Sequence, residues 1–177
     1  DNVLAGQEAA DCLWGLGRRR SAYIGGGDSL MFSADRRSGY EAAMLRQGCA
    51  PDPGFCVEVP SLTEEGWAPI RQLLGRDDRP TAVIVSDDIL AVAVERVCME
   101  MGLSIPEDIS ILSFNNSLFA RLTSPQLTSV DINSLQLGTE AAAQMISHME
   151  NPNLMATKII VPHRIIERDS CRRWDGI

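Results

Sequence analysis

The sequence predicts an α/β protein built on a parallel sheet with helices on both faces. Three observations carry this. Short apolar runs alternate with helical stripes over residues 21–114, in the order β-α-β-α-β-α-β. The runs are continuously apolar, as in Thr81-Ala82-Val83-Ile84-Val85, so the strands are buried on both faces. Strands separated by single helices are joined by crossovers, which makes the sheet parallel.

The elements follow in order. Residues 1–16 read as a helix: Asp1 or Asn2 can cap it, and Ala5, Ala9, Leu13 and Leu16 recur at spacings of three and four. Gly17 stops it. Ser21-Ala22-Tyr23-Ile24 is a strand ended by Gly25-Gly26-Gly27-Asp28. Ser33 starts a second helix, with Tyr40, Ala43, Met44 and Gln47 before Gly48. Phe55-Cys56-Val57-Glu58-Val59 is a strand, and Thr63-Glu64-Glu65 opens a helix with Trp67, Ile70 and Leu74 inward. After the 81–85 strand, Ile89, Val92, Ala93, Val97 and Met101 form a helical stripe closed by Gly102. Residues 109–114 are the next strand. The rhythm then breaks: 117–126 read as irregular, Leu127-Thr128-Ser129-Val130 as a short strand. A helix from about Ser134 carries Leu137, Ala141, Met145 and Ile146 on one side and ends at Asn151-Pro152-Asn153. Ile159-Ile160-Val161 and Arg164-Ile165-Ile166 form a last extended segment.

Composition narrows the function. The chain has 177 residues, enough for one substantial core. No apolar run approaches the roughly 20 residues of a membrane helix. The start lacks the basic and apolar stretches of a signal peptide, and it lacks Met, in keeping with a fragment. A net charge of −8 opposes DNA binding, which needs clustered cations. Arg18-Arg19-Arg20 reads as a solvated helix end. Five cysteines without C-x-x-C spacing give neither a metal cluster nor a disulfide framework, and Cys12 and Cys98 read as small buried hydrophobes in a reducing cytoplasm. His148 and His163 lack matched partners for zinc. No metal and no cofactor are expected.

In an open parallel sheet, ligands bind beyond the carboxyl ends of the strands. There the sequence places Gly25-Gly26-Gly27-Asp28 leading to Arg36, then Pro60-Ser61, Ser86-Asp87-Asp88 and Asn115-Asn116. An Arg, carboxylates, amides and hydroxyls suit a polyhydroxy ligand. Each has a plainer reading. The glycines lack the spacing of a phosphate loop. Arg36 could be solvated, Asp87 or Asp88 a helix N-cap, and Asn115-Asn116 turn formers. No nucleophile-base set is visible, so nothing argues for an enzyme.

Several strings resemble the lactose-repressor/galactose-repressor family of bacterial regulators. Ile105-Pro106-Glu107-Asp108-Ile109-Ser110 through Phe114-Asn115 is similar to its "P-E-D-I-S-V-x-G-F-D" segment. Pro125-Gln126-Leu127-Thr128-Ser129-Val130 resembles "P-x-L-T-T-V", and Pro80-Thr81-Ala82 through Ser86-Asp87-Asp88 resembles "P-T-A-x-x-x-x-N-D". Arg36-Arg37-Ser38-Gly39-Tyr40 matches "R-x-x-G-Y/F", and Arg168-Asp169-Ser170 resembles the usual "R-x-S" finish. Asp1-Asn2 with Ala5-Gly6 and Gly17 matches the helix that family members place before the first strand of their C-terminal subdomain, so the matches fall in order over residues 1–170.

The resemblance implies a periplasmic-binding-protein-like fold, mainly the C-terminal lobe of a two-lobed effector-binding core. Residues 1–17 would be a helix of a truncated N-terminal lobe, 18–130 the C-terminal lobe, 131–155 a helix returning to the N-terminal lobe, 156–170 a final strand and 171–177 a tail. It implies a cytoplasmic, sugar-responsive repressor that dimerises and reaches operator DNA only through a head absent from this chain. Position by position, it implies effector contacts at Arg36, Ser61, Asp87 and Asn115. At 87 and 115 the family's Asn and Asp have traded places. Ser61 lies near a site where some relatives stack an aromatic residue on the ligand. It implies a homodimer interface on Ile89, Leu118, Phe119 and Leu122. Ser113-Phe114-Asn115-Asn116-Ser117 with Ser86-Asp87-Asp88 looks like the maltose-operon branch, hence a maltose-like effector. A periplasmic sugar receptor and an enzyme on a small sugar are the alternatives. With the other lobe's sheet mostly absent, helices 1–16 and 134–150 should pack on each other, on a neighbouring chain, or stay mobile.

Overall fold

The computed structural model describes residues 1–27, 29–50 and 52–174. Asp28, counted above with the glycine run, and the last three residues of the 171–177 tail lie outside them.

Six strands form one sheet in the order β2-β1-β3-β4-β5-β6. They are β1 (Ser21–Gly25), β2 (Cys56–Glu58), β3 (Ala82–Val85), β4 (Ser110–Phe114), β5 (Thr128–Asp131) and β6 (Arg164–Ile166). The first five are mutually parallel, and β6 runs antiparallel to β5. Because successive strand residues face opposite sides, each strand feeds two cores. Ala22, Ile24, Val83, Val85 and Ile111 join one cluster. Tyr23, Ala82, Ile84, Leu112 and Phe114 join the other.

Helices α3 (Ala68–Leu74) and α4 (Asp88–Glu100) cover the first face, with Ile70, Leu73, Leu74, Val94 and Val97 in its core. Helices α1 (Asn2–Gly15) and α2 (Met31–Arg46) cover the second. Here the sequence reading of the first helix is corrected. Its stripe of Ala5, Ala9, Ala10 and Leu13 is fully buried against Tyr40, Ala43, Met44 and this sheet. The helix needs no second lobe to cover it. Two glycines make the fit close. A Cβ at Gly39 would sit 2.0 Å from the Val3 carbonyl oxygen, and one at Gly6 would sit 2.2 Å from that of Arg36.

Helix α6 (Ser134–Glu150) behaves as expected of a helix without a sheet. It has no buried residue, and Leu135, Met145, Ile146 and Met149 are exposed. Three local readings change. Residues 117–126 are not wholly irregular, because Leu118–Leu122 form a short helix, α5. The third helix begins later than Thr63: a 3-10 turn, Glu64–Trp67, precedes it and Pro69 stands in its first turn. Ile159-Ile160-Val161 is not a strand; Ile159 and Ile160 are exposed.

Arg18 also departs from its reading as a solvated end. Its side chain is fully buried, donating to the carbonyls of Thr81 at 2.9 Å and Pro106 at 2.6 Å and lying 4.5 Å from the Trp174 ring centroid. It ties the chain's last turns to the sheet. Arg19 does stay outside, donating to the Trp14 carbonyl at the end of α1 at 2.7 Å.

Candidate functional site

At the carboxyl ends of β4 and β5, marked by Asn115 and Ile132, lies a cleft of about 370 Å³. The start of α1, the first turns of α2, the loop after β4 and the segment around residues 132–163 surround it. Arg36 and Asn115 both line it, so two of the four expected effector residues are brought together.

Arg36 is 3% exposed. Its guanidinium is sandwiched between rings, 4.3 Å from the Phe114 centroid and 5.1 Å from that of Phe32. Nε donates to Asn2 Oδ1 at 3.0 Å, Nη1 to the Ser86 carbonyl, and Nη2 to Asn115 Oδ1 at 3.4 Å. All three acceptors are neutral. Burial pulls the guanidinium below its usual value, with Tyr23, Asp87 and Asp88 opposing that shift. The solvated-helix reading of Arg36 is therefore excluded.

The orientation of the two amides follows from chemistry. Arg has donors only, so the oxygens of Asn2 and Asn115 must face it. Their NH₂ groups then point away from the guanidinium, and Asp1, Asn2, Arg36 and Asn115 are polar residues lining the cleft. Phe32, Ile132, Leu137 and Val161 supply apolar walls. At the rim, His163 Nε2 lies 3.0 Å from Glu8 Oε2.

The other two expected residues do not line this cleft. Asp87 caps α4: Oδ1 accepts from Leu90 N at 2.9 Å and Oδ2 from Ser86 Oγ at 3.1 Å. Its plainer reading is what the geometry contains. Ser61 is exposed and hydrogen-bonded to Thr63 Oγ1 at 2.8 Å. It follows the edge strand β2, three strand spacings of about 4.8 Å from β4. Asn2, Phe32 and His163 were not anticipated. Asn2 was read as a possible cap, but Asp1 takes that role, accepting from Leu4 N at 3.0 Å.

On the opposite side, α4 and α5 present Ile89, Leu118, Phe119 and Leu122, all exposed. In the same region Glu95 Oε1 and Thr123 Oγ1 are buried, and desolvation pushes the Glu95 carboxyl up to about 7, with the Thr123 hydroxyl opposing that shift. Four of the cysteines, Cys12, Cys56, Cys98 and Cys171, are held as thiols by burial. Burial raises Cys98 and Cys171 to about 12 and Cys56 to about 11. No group of three or more metal-ligating side chains occurs among the described residues, and none of their helices is long and apolar enough to cross a membrane.

Comparison with known proteins places this architecture. The family model for the periplasmic binding protein-like domain matches residues 10–171. The HTH-type transcriptional repressor CytR of Escherichia coli (strain K12) is 28% identical over 172 residues, covering 97% of this chain and 50% of that protein. The ribose operon repressor of Haemophilus influenzae is 29% identical over 170 residues, covering 96% and 51%. The chain thus spans about half the length of these curated relatives. The crystal structure of the transcription regulator CcpA of Lactococcus lactis superposes with a TM-score of 0.87 at 30% identity, covering 97% of this chain and 63% of that one. A CelR–cellobiose complex gives 0.89 at 26% identity, covering 97% and 52%. These relatives are transcriptional regulators rather than enzymes. The chain belongs to the periplasmic binding protein-like domain family, in the version of that domain carried by LacI-family transcriptional regulators.

Proposed function

We propose that this chain is the effector-binding and dimerisation part of a sugar-responsive cytoplasmic repressor whose operator contacts are made by a head outside these residues. One observation carries the reading. Arg36 is buried at the carboxyl edge of the sheet and, with the Asn2 and Asn115 amides that it orients, lines an apolar-walled cleft. Such a lining matches ring and hydroxyl oxygens, and the walls match the apolar faces of a pyranose. The relative solved with cellobiose carries the same fold.

Maltose or a maltooligosaccharide is the proposed effector, on the likeness of Ser113–Ser117 and Ser86–Asp88 to the maltose-operon branch. A ligand longer than a monosaccharide would also approach Asp87 and Ser61 along the same edge. Closure of a second lobe over the sugar would shift the balance between DNA-competent and incompetent states. Ile89, Leu118, Phe119 and Leu122 are the proposed homodimer contacts.

Calorimetric titration of the full-length regulator with maltose, cellobiose and ribose tests the reading. Arg36→Ala should cost roughly 1.5–3 kcal/mol of affinity, about 10- to 100-fold. Unchanged affinity in the variant would remove the cleft from consideration.

A further inference from the structure

We propose that Asp88 is the positioning residue of the effector cleft, holding the Asn115–Ser117 loop so that displacement of Asn115 is passed to α5. Asp88 is 1% exposed in the first turn of α4. Its Oδ1 accepts from Ser113 Oγ and, at 2.8 Å, from Ser129 Oγ, while Oδ2 accepts from Ser117 N at 2.6 Å. One carboxylate therefore joins α4, β4, β5 and the N-cap of α5. No cation donates to it among these contacts, so its stability in the core depends on those three donors.

The loop it holds is unusual. Asn115 and Asn116 have φ of 96° and 48°, in the left-handed region that side chains rarely adopt. Such residues persist where their surroundings over-determine them. Asn115 N donates to the Val130 carbonyl at 2.8 Å, and Asn116 N to Ser129 Oγ at 3.0 Å. Asn116 Oδ1 accepts from Arg168. The two backbone anchors on β5 thus fall on the adjacent Ser129 and Val130, and Ser129 is itself bonded to Asp88.

The two ends of the loop have different surroundings. At one end Asn115 meets Arg36 in the cleft. At the other, α5 begins at Leu118 and presents Leu118, Phe119 and Leu122 outward. The loop is only three residues long and each of them is held, Asn115 by the Val130 carbonyl and Arg36, Asn116 by Ser129 Oγ and Ser117 by Asp88, so a shift at Asn115 has few free residues in which to dissipate. Asp88 fixes the α5 end, which makes it the pivot. An amide in its place fits sterically but has one acceptor oxygen. Its NH₂ would then face either the two serine hydroxyls or the Ser117 N–H.

The inference rests on the cleft reading only for what would move Asn115; the linkage itself is tested without ligand. Hydrogen exchange of the chain is followed by mass spectrometry in wild type, Asn115→Ala, Asp88→Asn and the double variant. Each single variant should speed exchange of the Ser117–Leu122 peptide about tenfold, with β1 and α3 peptides unchanged. The double variant should be no faster than Asp88→Asn alone. Wild-type exchange of α5 in Asn115→Ala, or multiplied effects in the double variant, would overturn the proposal. Should Asp88→Asn fail to fold, Ser129→Ala removes one donor from Asp88 and the acceptor for Asn116 N. It replaces Asp88→Asn in the same cycle, with about threefold faster exchange expected. Failure here leaves the sugar titration unaffected, and loss of sugar binding leaves this cycle unaffected.

Discussion

Gly39 gives the sharpest test of how α1 is held. It lies in mid-α2, where Ala should be preferred over Gly by about 1 kcal/mol. The structure predicts the opposite sign. A Cβ there would stand 2.0 Å from Val3 O and 2.9 Å from Gln7 N, both backbone atoms that no rotamer change can move aside. Real Cβ contacts under 3.0 Å essentially never occur, so α1 must retreat by about 1 Å. A gap of that size forfeits a quarter to a half of the dispersion energy along the seam. That seam includes Ala5, Ala9, Ala10 and Leu13, all fully buried. We take roughly 3 kcal/mol, the upper end of the overpacking range, because the obstacle is backbone. Less about 1 kcal/mol of helix propensity, the net loss is about 2 kcal/mol. With a urea m value of about 2 kcal/mol/M, the midpoint falls by about 1 M. Gly138→Ala is the control. It is also mid-helix, but a Cβ there meets nothing within 4 Å, so about 0.5–1 kcal/mol of stabilisation is expected. Urea unfolding followed by far-ultraviolet circular dichroism reads both. A midpoint for Gly39→Ala at or above wild type would refute the close α1–α2 seam.

Three further outcomes follow. Glu95 has its folded value raised from 4.5 to about 7 by burial, so ionisation opposes folding. Its contribution is intact below about pH 4.5, is lost as pH rises to about 7 and is flat above that; Glu95→Gln should remove this slope and unfold at higher denaturant than wild type at pH 8, and parallel pH profiles would sink the assignment. Phe119→Asp should weaken self-association measured by sedimentation, since Phe119 stands with Leu118 and Leu122 on one exposed apolar face; a wild-type monomer at high concentration counts against that face. The 177 residues alone should bind sugar more weakly than millimolar and should not bind DNA, because single hydrogen bonds net only about 0.5–1.5 kcal/mol against the cost of ordering a ligand; micromolar binding to this chain would show that one wall suffices.

What could be read in the sequence was whatever a local rule decides. Continuous apolar runs marked β1, β3 and β4, and all three are buried on both faces. The stripe read on α4 was right only in part: Ala93 and Val97 pack inward, but Ile89 and Met101 are exposed, and Leu90, Val94 and Cys98 are buried in their place. Partner choice was not local. The alanines of α1 would look the same whichever sheet they covered; the informative residues were Gly6 and Gly39, whose meaning depends on a helix crossing them from elsewhere. Ile159-Ile160 has strand composition, but composition supplies no neighbouring strand, and none pairs with it among the described residues. The Leu118–Leu122 helix spans five residues, too few for a helical period to show.

The site divides along the same line. Arg36 and Asn115 could be found because topology alone sends the residues after β1 and β4 to one edge of the sheet. Asp87 and Asp88 could not be told apart, since they share a side chain and adjoin in sequence. One residue of helical rotation separates their fates. Asp87 turns along the helix start and satisfies Leu90 N, while Asp88 turns under the sheet and gathers Ser113, Ser117 and Ser129. The hydroxyls of Ser113 and Ser129 are the signal that sequence reasoning passed over, Ser117 contributing only its backbone N–H. A buried hydroxyl inside a strand, as Ser113 is in β4, requires an acceptor across the core. The nearest acidic residue that topology brings to that edge from a helix N-terminus is in the Asp87-Asp88 pair. Two buried hydroxyls on neighbouring strands, Ser113 and Ser129, need one shared carboxylate, and that need is what separates Asp88 from the capping Asp87.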